Sequence, residues 1–287
     1  MFDPYRNTMK DKIIYHYCSM DSFFGIITNK NVRLSDAYKT NDYTELEWIF
    51  SIMEYSMTDI LKTEFVYSLR KSYRKWLESY FRPHIACFSK DGDLMGQWRA
   101  YANDGKGISI GFNRRYFESI KILDNKEFEI SDVIYQHKEQ EKLLMSLFNS
   151  LFTIIGTEKL KILEEIYINK GDNNYFEEIM LASALLKYGM IFKNETFSEE
   201  KEVRLIHGFD KIAAEPDMFE YRVTQDDLIS FVEIPLDVEN DYLPIKEVIL
   251  GPNCKVNPKN MEHFLGQKLS AKAIDIEIKK SMSSYRS

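Results

Sequence analysis

Three cysteines in 287 residues are too few and too scattered for a disulfide framework. Cys18, Cys87 and Cys254 also show no paired metal-ligand spacing. Cys18 and Cys87 sit in apolar, strand-like settings, as small buried residues of a reducing compartment do. No stretch approaches the ~18 consecutive apolar residues of a membrane span, and the N-terminus lacks a basic-then-apolar leader. The expectation is a soluble cytoplasmic protein with no membrane partner. The phosphate loops G-x-x-x-x-G-K-[ST] and G-x-G-x-x-G are absent, as are H-E-x-x-H and G-x-S-x-G, so P-loop, Rossmann and zincin readings have no support. His137 with Glu141 four residues on supplies too few ligands for a metal, and no metal site is expected. An excess of positive charge is missing too. The net charge is -7, which argues against a surface built wholly for nucleic acid and leaves nucleic acid only as a target of some local patch.

What is present is an ordinary globular composition, 44% hydrophobic and 29% charged, with an aromatic share of 14% from which tyrosine and phenylalanine can build a core. Residues 12–18 read as a buried strand, 23–29 as a helix capped by Ser19 or Asp21, and 32–35 as a short second strand. Thr44 with Glu47 forms a capping box for a helix expected to reach about Leu61, and a second helix runs to about Phe81. Strands follow at 84–89, 107–112 and 128–135, with a short helix at 94–101. From His137 to about Lys187 the apolar spacing is helical. Strands return at 203–207, 218–223, 229–234, 245–250 and 273–278, before a polar tail from Ser281. Strands at both ends with helices between them imply an α+β fold. The expectation is a single domain over 1–287, with a helical insertion at about 137–188 and a flexible tail at about 281–287.

The chain is organised around residues 192–208, FKNETFSEEKEVRLIHG. An acidic run leads into an alternating segment that places Val203 and Leu205 on one face and Glu202, Arg204 and Ile206 on the other. If the backbone is extended through Glu200, Glu200 and Glu202 share that second face. Two carboxylates so spaced can hold a ribose hydroxyl and stabilise positive charge on a sugar carbon. The plain alternative is a solvated acidic loop before a strand with a surface ion pair. His16, between two tyrosines in mid-strand, reads first as a hydrogen-bonded core residue. Asn41, Asp42 and Glu45 can bind a ligand or serve as loop and cap residues. Arg99 and Arg204 are candidates for phosphate, which a guanidinium suits. Gln97, Trp98 and Tyr101 share a short helix with Arg99, and Trp98 and Tyr101 read more simply as core.

Together these segments resemble DUF2971, a bacterial family of unknown function. The matching pieces are Tyr15-His16-Tyr17; Val32 to Ser35 with Asn41-Asp42 and Glu45; Cys87-Phe88-Ser89 with Trp98 and Tyr101-Ala102; and Gly107 to Phe112. Lys193 with Glu200-x-Glu202-x-Arg204, and Ile249-Leu250-Gly251-Pro252, complete the set. The order of a His-bearing strand, a helix, an xRLS strand and a late Glu opening a strand is also similar to the ADP-ribosyltransferase superfamily. That second resemblance implies a split mixed or antiparallel sheet and NAD as substrate. It implies His16, beside Tyr17, as an NAD contact, Ser35 or Tyr38 near the nicotinamide, and Glu202 as the catalytic acid, with Glu200 completing a Glu-x-Glu pair. It departs from the superfamily in having Tyr17 after the histidine, no Ser-Thr-Ser motif and a large helical insertion.

The leading expectation is an ADP-ribosyltransferase-like enzyme that modifies a macromolecule or cleaves NAD, in the setting of a bacterial toxin or phage-defence effector. A second is a non-catalytic sensor or adaptor binding a nucleotide or protein through Asn41, Arg99 and Arg204. A third is a nuclease, for which Asp42, Glu45, Glu200 and Glu202 would converge on a divalent cation.

Overall fold

The computed structural model describes residues 12–39, 46–57, 61–79, 81–120, 122–123, 126–155, 175–208, 219–224, 226–236, 244–269 and 275–283. Its strands are β1 (Ile13–Cys18), β2 (Asn31–Asp36), β3 (His84–Ser89), β4 (Ile108–Asn113), β5 (Ile122–Leu123), β6 (Lys126–Glu127) and β7 (Glu129–Asp132). They continue as β8 (Glu202–His207), β9 (Glu220–Val223), β10 (Leu228–Pro235), β11 (Ile245–Leu250) and β12 (Glu277–Lys280). The helices are α1 (Met20–Asn29), α2 (Trp48–Ser56), α3 (Thr63–Ser79), α4 (Met95–Tyr101), α5 (Arg114–Ser119), α6 (His137–Ile155), α7 (Tyr175–Ile191) and α8 (Pro258–Leu269). 3-10 turns cover Ala37–Lys39 and Glu195–Glu200.

Among the described residues, ten strands form one open sheet in the order β12-β11-β4-β1-β3-β2-β10-β9, with β8 branching from β3 and β7 from β8. Neighbours are antiparallel except β11 with β12. The architecture is mixed α/β with a largely antiparallel open sheet and several helices. The branch is what positions the candidate site. β8 pairs with every residue of β3 from His84 to Ser89 and so occupies one whole edge. β1 and β2 therefore share the other edge, β1 meeting it at Ser89 and β2 at His84 and Ile85. In the interval between them the Cys87 carbonyl accepts a hydrogen bond from Nδ1 of His16 at 3.0 Å. A side chain of β1 thus reaches a backbone acceptor of β3 where the two strands part.

One core lies between the sheet and α1, α5 and α8 and includes Ile14, Phe23, Phe88, Phe112, Phe117, Val203 and Leu205. The other face of β3 and β8, through Ile85 and Ile206, packs on α2, α3, α6 and α7. A small third cluster seats Trp98 of α4 against Tyr17 and Ile249. Every residue of β8 is buried, so the expected alternation of its faces is present but neither face meets solvent.

Local chemistry explains several joints. The Ser19 hydroxyl accepts from the Ser22 N–H and starts α1. A Cβ on Gly107 would lie 2.1 Å from the Cys18 carbonyl oxygen, so only glycine lets β4 open that close to the end of β1. Other joints differ from the sequence expectation. Glu47 occupies the N-cap position of α2 without making a cap bond. Its carboxylate instead pairs with Arg70 and Arg74 of α3, where two guanidiniums outcompete backbone amides; Thr44 and Glu45 lie outside the described residues. The helix expected to reach Leu61 ends at Ser56, and the strand expected at 128–135 is confined to Glu129–Asp132. Residues 156–174 of the expected helical run lie outside the description. Ser281 and Met282 donate to the Asp93 carboxylate at 2.5 and 2.7 Å.

Candidate functional site

A small cavity of about 70 Å³ opens at the fork, lined by His16 and Tyr17 of β1, Cys87 and Phe88 of β3, Gln97 and Tyr101 of α4, and Glu200 and Glu202. By volume it holds a few waters or a small fragment of a ligand. α4 is fixed over it by Tyr17, whose hydroxyl donates to the Asp91 carbonyl and accepts from the Leu94 N–H, both at 2.8 Å. Trp98 adds an indole N–H bond to Asp93 at 2.7 Å.

Beneath the cavity lies an ion cluster. Glu202, 6% exposed, takes two parallel bonds from Arg204, Nε to Oε1 at 2.8 Å and an Nη2 to Oε2 at 2.9 Å. Lys193, buried after the end of α7, reaches Glu200 at 2.6 Å and Glu202 at 3.2 Å. Arg204 also donates to the Met190 carbonyl at 2.8 Å. The Lys193 backbone is braced by Gln140, whose amide donates to its carbonyl. Two carboxylates therefore face two cations, which is how buried charge is tolerated. Burial pushes the Glu202 carboxyl up, but the charge and hydrogen bonds of Arg204, with Lys193 and the Cys87 thiol, outweigh it and hold the group at about 2. The surface ion pair offered as the plain reading of this stretch is thus a buried one.

Glu200 reaches the cluster by a route that strand alternation does not describe. It is the last residue of the 3-10 turn, and Lys201 follows in the left-handed region at φ 49°. That turn, anchored by the Ser89 hydroxyl on the Glu200 carbonyl at 2.7 Å, folds the carboxylate back onto Lys193. The two carboxylates converge through a shared cation and not through a common strand face.

Burial lowers the His16 imidazole below its ordinary value, with the Cys87 hydrogen bond opposing. At neutral pH the ring is uncharged. A carbonyl can only accept, so Nδ1 carries the proton and Nε2 is left as the lone-pair nitrogen. The Tyr101 phenol is pushed up, first by burial and then by Glu200.

Of the residues singled out in the sequence, His16, Tyr17, Glu200 and Glu202 line the cavity together. Arg204 stands behind it, holding Glu202. Arg99 is exposed on α4 and is not part of the lining. Ser35 sits on β2, where its hydroxyl accepts from Arg222 at 3.2 Å, and Tyr38 packs against the helical core. Neither lines the cavity. Asn41 and Asp42 lie outside the described residues. Cys87, Gln97, Tyr101 and Lys193, named in the sequence without a role in the site, join it. For Gln97 and Tyr101 the signal was their i, i+4 spacing, which puts both on one face of a short helix. For Lys193 no spacing shows the pairing with Glu200, because that is set by the turn at Lys201.

Fold and site together define a mixed α/β protein with a small polar pocket over a buried, charge-balanced cluster. Residues 97–205 match the model of DUF2971, described as a protein of unknown function. The matched stretch runs from α4 to β8 and contains Gln97, Tyr101, Lys193, Glu200, Glu202 and Arg204. No curated protein and no solved structure matches the chain. Among the described residues no helix is long and apolar enough to cross a membrane, and no group of three His, Cys, Asp or Glu side chains is placed to hold a metal ion.

Proposed function

We propose that the chain acts on NAD at this pocket in the manner of an ADP-ribosyltransferase, passing ADP-ribose to a macromolecule or to water. The observation that supports the reading is the convergence of His16, from the first strand, with Glu200 and Glu202 on one cavity at the split between β1 and β2. In such a reaction the bond between the ribose C1′ and the nicotinamide nitrogen breaks, and neutral nicotinamide leaves with the electron pair. The acceptor then bonds to C1′ and gives up its proton. The oxocarbenium-like sugar formed between these events is stabilised by a nearby fixed carboxylate. Glu202 would supply that fixed field, its orientation set by Arg204. Glu200 at the cavity wall would meet a ribose hydroxyl, and the lone-pair nitrogen of His16 would accept a hydrogen bond from the substrate. The present volume admits only part of NAD, so α4 and the 195–200 turn would part to admit the rest.

A second reading is favoured by a different observation. Both oxygens of Glu202 already accept bonds from Arg204 and Lys193, the pattern of a structural ion cluster in a non-catalytic nucleotide- or protein-binding sensor. The nuclease reading needs Asp42 and Glu45, which lie outside the description, and draws no support from the placement of Glu200 and Glu202.

Purified protein incubated with NAD and a cell extract should release nicotinamide, followed by chromatography. Glu200→Gln should lower the rate by ~100-fold, the scale of losing one preorganised group. Heat evolved on titration with NAD, without nicotinamide release, would favour the sensor. Neither binding nor turnover would remove NAD from the account.

A further inference from the structure

A second, larger cavity of about 710 Å³ lies away from the fork, and members of both main cores wall it. Phe117, Phe128 and Ile130 come from the core under α5; Phe81, Leu186 and Met190 come from the helical core. Its volume falls in the ~300–1,000 Å³ range of small-molecule sites, and most of its lining is apolar. Among the described residues the charged part of the lining has one dominant sign: Glu118, Glu127 and Glu129, all exposed, stand at the rim with one ammonium, Lys187. Lys187 is paired with Glu129 at 3.1 Å, and Glu118 is met from outside by Arg114 at 2.9 Å.

From this arrangement we infer that the cavity is a binding site for a small amphiphilic cation, an apolar body of drug size bearing one ammonium group. The apolar walls bury the body, and the carboxylate rim favours a cation there while repelling an acyl chain with an anionic head. The site is independent of the fork pocket and of any activity there. The two are nonetheless joined by one residue: Met190 lines the cavity, and its backbone carbonyl holds the Arg204 guanidinium that holds Glu202.

A matched pair of fluorescent probes tests this. Dansylcadaverine and dansyl-aminohexanoate share an apolar ring system and carry opposite charge. The full chain should bind dansylcadaverine with one-to-one stoichiometry and a blue-shifted emission, and bind the anionic probe at least about tenfold more weakly. Added salt should narrow that difference, because the rim is solvent-exposed. Glu127→Lys, a change at an exposed position, should lower or invert the preference. Ser183→Trp, which adds bulk to the α7 wall, should abolish binding while circular dichroism stays unchanged. Equal binding of both probes, no binding of either, non-saturating uptake, or indifference to Glu127→Lys would each overturn the assignment. Binding of a basic amphipathic peptide with neither probe would show a protein-docking groove instead and overturn it equally.

Discussion

Glu202 is charged because Arg204 is beside it, and Arg204 is buried because Glu202 is beside it. Removing one partner leaves the other charge without its main counterion in a place water does not reach. Such breaks cost ~3–5 kcal/mol. Glu202→Gln should therefore lower the melting temperature by on the order of 10 °C, at a few degrees per kcal/mol for a chain of this size. Replacing both partners, Glu202→Met with Arg204→Met, should recover much of that loss, since apolar pairs of similar volume replace buried ion pairs at little cost. Failure of the double variant to recover would show that Lys193 and Glu200 depend on the pair. The pH dependence carries the same sign. The Glu202 carboxyl is held at about 2 against an ordinary 4.5, so between those values the unfolded chain binds the proton and the folded chain does not. Its contribution to stability is fully present above pH 4.5 and is lost as pH falls towards 2. Denaturant melts of wild type and Glu202→Gln should accordingly differ most near neutrality and converge in acid.

At the scale of elements, the tight joints carry the sheet. Gly107 precedes β4, where an added Cβ would meet the Cys18 carbonyl oxygen at 2.1 Å and the Ala102 carbonyl at 3.0 Å. These are backbone atoms and cannot swing aside as a side chain would. Gly107→Ala should cost at least ~1–3 kcal/mol, the range for overpacking a well-filled site, measured as a fall in the urea midpoint. Gly111 differs, because the nearest atom to its added Cβ is the Cγ of Glu247. An alanine there should be milder, and equal losses at the two sites would count against this geometric account. The same element logic explains α4. It is short, yet Tyr17 and Asp93 hold its start and Trp98 fills the cluster beneath it, so Gln97 and Tyr101 are presented to the pocket by a helix that could not stand alone.

On the scale of the whole molecule, the helices of the expected insertion are part of the second core. Leu144 and Phe148 of α6 and Leu181, Leu185 and Leu186 of α7 pack with α2, α3 and Ile206 of β8. An isolated fragment spanning 137–191 should be largely unfolded by circular dichroism, because its apolar face lies on partners outside it. The chain lacking Gln140 to Leu186 should lose cooperative melting. A folded, soluble fragment would show that the segment is a domain in its own right.

Alternation alone, read along residues 203–206, was enough to place Val203 and Leu205 opposite Arg204 and Ile206, and the helical spacing over α6 was equally legible. These are local patterns, set by the periods of strand and helix, and one stretch of chain contains all the information. What the chain could not disclose is that β8 is covered on both sides, so that its acidic leader becomes the wall of a pocket and its ion pair is buried. Burial depends on which elements stack on the strand, and those come from α1, α5 and α8 on one side and α2, α3, α6 and α7 on the other. The fork that brings His16 to Cys87 follows from β1 and β2 sharing one edge of β3, a pairing between segments far apart in the chain. Lys193 is the clearest case. The sequence marks it only as part of a matching segment, and the left-handed turn at Lys201 is what returns Glu200 to it while the strand returns Glu202. Its role is a property of three-dimensional electrostatics, in which a buried cation needs its counter-charges and the fold must supply them.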